Sequence, residues 1–233
     1  MTQARAAELQ VLAGGGIAAP LKEIAAQFEA KYGHKVSIRF DTTPELIKMA
    51  TAGGSFDLAV VPQEFMKDPK ARAQFASETM PTVARVGFAV AVRAGTPKPN
   101  ISTPEALKRT LLAAQSIASL PASAAGAQIA AVYRDLGIAD EMKAITKAQQ
   151  TPGNIIDAVA NGECDLAVFL VNVLTDHRLD VVGPFPAEVQ REIVYTTAVA
   201  SNSKEFDAAA AFITYLLGPA SAKLIEAKGM IAG

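Results

Sequence analysis

Hydrophobic positions along the chain follow two periods in turn. Short apolar or alternating runs stand at 8–13, 35–40, 57–62, 82–93, 116–120, 165–172, 181–186 and 192–200. Between them, apolar residues recur three or four apart, as at Ile17, Leu21, Ile24, Ala25 and Phe28. The first pattern fits strands and the second fits helices. Helices are predicted over 17–32, from 44 to a stop at Gly53-Gly54, over 104–114, from Ser123 to Leu136-Gly137, from Pro152 to Gly162, and over 206–217 and 220–228. The stretch 65–80 is polar and reads as helical or irregular. Strand and helix alternate throughout, so the fold class expected is α/β, with mainly parallel sheets flanked by helices.

One segment occurs twice. Residues 43–60 (TPELIKMATAGGSFDLAV) and 151–168 (TPGNIIDAVANGECDLAV) align without a gap and agree at ten of eighteen positions. Each copy opens with Thr-Pro, a cap followed by the first helical position. Each then runs through a helix to a Gly stop and into Asp-Leu-Ala-Val. Two similar α/β halves are expected, with one copy in each. Asp57 and Asp165 are expected to serve the turn or the start of the strand, not chemistry.

Composition narrows the function. At 233 residues the chain can bury a large core and form one large or two small domains. Net charge is −1, the basic residues are scattered and there is no Trp, which speaks against nucleic acid as a partner. Cys164 is the only cysteine, so no intrachain disulfide forms, and it reads as a small buried hydrophobe. His34 and His177 read as surface-loop residues. Two histidines without a carboxylate cluster give no dedicated metal site, and no cofactor is expected. No apolar run reaches the length of a membrane span. Ala4-Arg5-Ala6 has the small-x-small pattern of a signal-peptidase site. It fits a trimmed export protein or a cytosolic protein with an Ala-rich start.

The candidate chemistry sits in three strand-to-helix turns. Gly14-Gly15-Gly16 lets the N–H groups of Gly15 and Gly16 approach a ligand closely, without the spacing of a dinucleotide fingerprint or a P-loop. Thr42 and Thr43, between Asp41 and Pro44, offer hydroxyls and N–H groups for capping, for a ligand, or for both. In the turn 121–126, Ser123 can cap while the N–H groups of Ala124 and Ala125 stay available. Asn172, ending an apolar strand, reads either as a polar contact or as a turn residue. Arg85 lies inside an apolar run and is expected to be buried against a carboxylate or a bound anion. Open α/β sheets bind ligands beyond the carboxyl ends of their strands. Uncharged N–H and hydroxyl donors at such places suit an anion.

The chain resembles the type II periplasmic solute-binding proteins, and among them the molybdate-binding-protein-like group. The marks are Leu12-Ala-Gly-Gly-Gly-Ile with its helix, Arg39-Phe-Asp-Thr-Thr, Gly54-Ser-Phe-Asp-Leu-Ala-Val, Arg85-Val-Gly-Phe-Ala-Val-Ala-Val, Gly162-Glu-Cys-Asp-Leu-Ala-Val and Leu216-Leu-Gly-Pro-Ala. The resemblance implies two lobes, 1–82 with 197–233 and 83–196, hinged by two crossover strands with ligand bound between them. It implies capture of a small anion or polar metabolite, either an oxyanion or an organic carboxylate. Delivery to the membrane subunits of an ABC transporter follows, in the periplasm after signal cleavage, or in the cytoplasm if Met1 is the native start. Molybdate-type members present Ser in the first loop and a Ser pair in the second. Here the first loop has only glycine and the second has Thr42-Thr43. The group also resembles isomerases of small tricarboxylic acids, of the aconitate isomerase type. On that alternative Asp41 or Glu64 is the base and Arg85 the carboxylate clamp.

Overall fold

A computed structural model describes residues 6–77 and 79–233. Ala4 and Arg5 of the small-x-small pattern lie outside the described residues. The chain runs β1 (Glu8–Gly14), a 3-10 turn (Gly15–Ile17), α1 (Ala18–Tyr32), β2 (Lys35–Asp41), α2 (Thr43–Thr51) and β3 (Leu58–Pro62). A second 3-10 turn (Gln63–Lys67) follows, then α3 (Pro69–Arg72), β4 (Thr82–Arg93), α4 (Pro104–Ala113), β5 (Ile117–Ser119), α5 (Ala124–Asp135), α6 (Ala139–Ile145) and β6 (Thr146–Ala148). It ends with α7 (Pro152–Ala160), β7 (Leu166–Leu170), β8 (Leu179–Pro184), β9 (Glu192–Val199), α8 (Phe206–Leu216), α9 (Pro219–Ala227) and β10 (Ile231–Ala232). The α/β class expected from the sequence is present. Helix α6 and strands β6 and β10 are additions to the sequence reading. Strand β6 is short and mostly exposed and carries no apolar period, and α6 buries Met142 alone.

Two compact units form, one from Met1–Arg85 with Val194–Gly233, the other from Val86–Ile193. In the first, β2, β1 and β3 lie side by side and parallel. Strand β9 is antiparallel to β3, and β10 is antiparallel to β4. In the second, β5 is parallel to both β6 and β7, while β4 is antiparallel to β7 and β8. The sheets are therefore more mixed than alternation alone implies. Alternation of strand and helix says nothing about β4 and β9, which carry the chain from one unit to the other. Strand β9 runs against β3, and β4 runs against β7, β8 and β10.

Both copies of the repeated segment fold as helix, turn and central strand, α2–β3 in the first unit and α7–β7 in the second. Strands β3 and β7 are buried at every position, which is why they read as unbroken apolar runs. The repeated aspartates fasten each strand's start to its neighbour. Asp57 Oδ2 accepts from Gln10 N at 2.8 Å, and its Oδ1 accepts from the Ser203 hydroxyl at 2.7 Å. Asp165 Oδ2 accepts from Gln115 N at 2.7 Å and Ser116 N at 3.2 Å. This is the framework role expected of them.

His34 departs from a plain surface residue. It is half-buried, stacks on Phe28 with ring centroids 5.6 Å apart, and accepts from Ala7 N at 3.1 Å through Nδ1. His177 is exposed, beside Asp176. Cys164 is a free, buried cysteine, and burial pushes its thiol above the ordinary value. The nucleophile is the thiolate, so native protein should react with iodoacetamide at pH 7.5 roughly a hundredfold more slowly than urea-unfolded protein. Equal rates, followed by mass spectrometry, would contradict the buried placement.

Candidate functional site

In the first unit the register sets Gly14 of β1 opposite Asp41 of β2, and Ala13 opposite Val60 of β3. All three strands are parallel, so their carboxyl ends open on one edge. Gly14 and Asp41 are the last residues of β1 and β2, and Gly15-Gly16, Thr42-Thr43 and Gln63-Glu64 follow the three ends directly. Tyr195 of β9 pairs with Pro62 and joins them.

Gly14 has ordinary extended backbone, with φ −66° and ψ 137°. Its glycine answers a need for space. A Cβ there would stand 2.9 Å from Tyr195 Cε1 and 3.1 Å from Pro62 Cδ. The Tyr195 ring is buried against the first loop, and burial raises its phenol pKa, with the charge of Glu64 adding to the rise. Glu64, named in the sequence as a candidate acid, thus lies close enough to be felt by Tyr195, and its Oε2 is buried. Sequence reasoning missed Tyr195. Only the β3–β9 pairing reveals it, since a Tyr in an apolar run reads as core.

Thr42 holds the geometry of a helix cap, φ −74° and ψ 156°, yet its side chain makes no cap hydrogen bond. Four other helix starts close themselves. Asp68, Thr103, Ser123 and Thr151 accept from Ala71, Ala106, Gly126 and Asn154 N respectively. The first turn of α2 therefore keeps donors that its own cap does not consume. Asp41 Oδ1 accepts from Thr42 N at 2.8 Å, which occupies part of the carboxylate in the turn. Thr43 is buried, and Gly15, Gly16 and Thr42 are half-buried.

In the second unit β5 and β7 are parallel, with Ile117 opposite Leu166. Ser123–Ala125 and Asn172 follow their carboxyl ends. Ser123 Oγ donates to Leu120 O at 2.7 Å and accepts from Gly126 N at 3.0 Å. Its proton is committed inside the turn, and the N–H groups of Ala124 and Ala125 are the turn's first donors. Both alanines and Asn172 are buried.

Arg85 corrects the sequence expectation. Its side chain is exposed, between buried Ala84 and Val86, on the stretch of β4 that pairs with the two-residue strand β10. It pairs with Ile231 across β4–β10, and no ion pair joins it to a carboxylate among the described residues. Among those residues no group of three or more His, Cys, Asp or Glu could hold a metal ion, and no single helix is long and apolar enough to cross a membrane.

Comparison with known proteins gives consistent results. The profile of a family described as bacterial extracellular solute-binding protein matches residues 9–231. An aconitate isomerase from a Pseudomonas species is 31% identical over 95% of this chain and 87% of its own. The molybdate-binding protein ModA of Azotobacter vinelandii is 27% identical over 97% of this chain and 90% of its own. The solved structure of the Azotobacter vinelandii periplasmic molybdate-binding protein superposes with a TM-score of 0.78 at 20% identity, covering 97% of this chain and 99% of that one.

Proposed function

The chain belongs to the bacterial extracellular solute-binding proteins, and from that premise we propose that it captures a small anion, an oxyanion or an organic carboxylate. The single observation that carries the reading is the start of α2, where Thr42 has cap geometry and leaves the cap bond unmade. Donors withheld from the helix suit an anionic ligand, as the helix dipole does, worth about 0.3–1 kcal/mol beyond the hydrogen bonds. Thr43 and the N–H groups of Gly15 and Gly16 add donors beside it. The N–H groups of Ala124 and Ala125, with Asn172, are the donors proposed in the second unit. Uncharged donors make a basic clamp unnecessary, in keeping with the exposed Arg85. Delivery to the membrane subunits of an ABC transporter, in the periplasm, belongs to the same proposal and is supported by the periplasmic relatives.

The test removes hydroxyls without disturbing shape. Thr42→Val/Thr43→Val should bind the tightest ligand among molybdate, sulfate, citrate and cis-aconitate about tenfold more weakly, since hydrogen bonds to charged groups contribute about 1.5–3 kcal/mol. Unchanged affinity in the folded variant would count against this site.

A second reading rests on Glu64. A carboxylate beside Tyr195, at the edge where an anion is proposed, has no use in simple capture. It suits a base that removes a proton from one carbon of an allylic acid and returns it at another. The relative named aconitate isomerase supports that reading. Asp41 is the other candidate base, and the exposed Arg85 is given no part. Proton NMR of cis-aconitate with the protein in deuterated water decides between them. Conversion with deuterium incorporation, lost in Glu64→Gln, establishes the isomerase, whereas binding without conversion leaves the receptor.

A further inference from the structure

We propose that the second unit carries a separate small-molecule site, a cavity between α5 and α6 that takes a compact apolar or aromatic carboxylate. The cavity has a volume of about 440 Å³, within the range of small-molecule sites. Ile129 and Ala130 of α5 and Met142 of α6 line it with apolar surface. Tyr133 also lines it, only 7% exposed, and its hydroxyl is buried with no hydrogen-bond partner among the described residues. A buried hydroxyl without a partner is unusual and costly. Burial raises the phenol's pKa, so the group stays protonated and has a proton to donate. A ligand acceptor in the cavity would satisfy it.

The rim sets the charge of the ligand. Arg134 and Lys143 are exposed at the mouth, and among the described residues neither is in an ion pair. Among the described residues Asp140 is the one carboxylate lining the cavity. Two cations against one anion favour an acidic ligand at the mouth, with its apolar body inward. An aliphatic or aromatic acid combines an apolar body, an acceptor for Tyr133 and a charge for the rim. This site shares no residue with Gly14–Gly16, Thr42–Thr43, Ala124, Ala125 or Asn172, although Pro121 and Gly126 of the turn that carries the two alanines line it, so the Thr42→Val/Thr43→Val variant is the one that tells the two sites apart.

Benzoate, cyclohexanecarboxylate and benzyl alcohol are the probes, followed by 1H–15N NMR of the full chain. Benzoate or cyclohexanecarboxylate should give saturable shifts at the amides of Ile129, Ala130 and Met142. Ile129→Trp fills the cavity and should abolish them, and Ala130→Phe serves if that variant does not fold. Tyr133→Phe, which removes the orphaned hydroxyl, should remain folded and bind about fivefold more weakly, the effect of one lost hydrogen bond. Thr42→Val/Thr43→Val should bind both acids as the unaltered chain does. The proposal is overturned if neither acid shifts these amides, or if the filled variants bind normally. Benzyl alcohol binding as tightly as benzoate overturns the carboxylate assignment, and unchanged affinity in Tyr133→Phe overturns the part given to the tyrosine.

Discussion

Gly126→Ala unfolds at lower urea concentration than the unaltered chain, losing about 2–3 kcal/mol of stability, the cost of forcing extra volume into a packed site. The direction opposes intrinsic preference, since alanine in place of a helical glycine ordinarily gains up to about 1 kcal/mol. Space decides the outcome. A Cβ on Gly126 would stand 2.2 Å from Leu120 O and 2.6 Å from both Cα and O of Pro121. Those are backbone atoms, so no side chain can swing away. Leu120 O also accepts from Ser123 Oγ, which in turn caps Gly126 N, so a shift of one strains all three. The same displacement moves Ala124 and Ala125, and anion affinity should fall with stability. A variant as stable as the parent would show that this turn is looser than described.

Asp57→Ala is the second large effect, with an expected loss of about 3 kcal/mol. Hydrogen bonds to a charged group contribute about 1.5–3 kcal/mol, and Asp57 makes two of them from a buried position. Its removal leaves Gln10 N without its acceptor and releases Ser203 from the start of β3. Asp165→Ala breaks the equivalent pair in the second unit, yet Asp165 is exposed, and water replaces much of what is lost. It should cost about 1 kcal/mol. Urea unfolding of the two variants side by side checks the ordering. Equal losses would show that the copies carry equal weight despite their different burial.

Those two aspartates also show how much of the fold was legible in the sequence. Their segment repeats because each unit needs the same helix, turn and buried strand, and an unbroken Leu-Ala-Val run reports burial on both faces. Even so, the turns differ in detail. The left-handed residue is Gly53 in the first copy and Gly162 in the second, one aligned position later, with φ 80° and 77°. An alignment of letters cannot show which glycine carries the turn.

The candidate site was legible in part. Gly15, Gly16, Thr42 and Thr43 could be named because small and hydroxyl residues at strand-to-helix turns stand out against the apolar periods on either side. The parallel β1–β2 register then brings both turns to one edge. Tyr195 could not be named, since its closeness to Gly14 depends on the pairing of β9 with the distant β3, beside which Thr196 Oγ1 donates to Val61 O, 135 residues away in the chain. Arg85 misled because an apolar run suggests burial of everything in it. A single position within a buried strand can still reach solvent, and there the charged residue needs no partner. The cap left unmade by Thr42 is a matter of side-chain geometry, and no sequence pattern distinguishes it from the caps made by Thr103 and Thr151.

Isothermal titration of the purified chain, unfolded and refolded to remove retained ligand, tests the central claim most directly. Molybdate, sulfate, citrate and cis-aconitate are titrated in turn. At least one of them should bind saturably at one site per chain with a Kd below about 10 μM, about −7 kcal/mol. No saturable heat from any of the four anions up to millimolar concentration would contradict the assignment of this chain as a small-anion receptor.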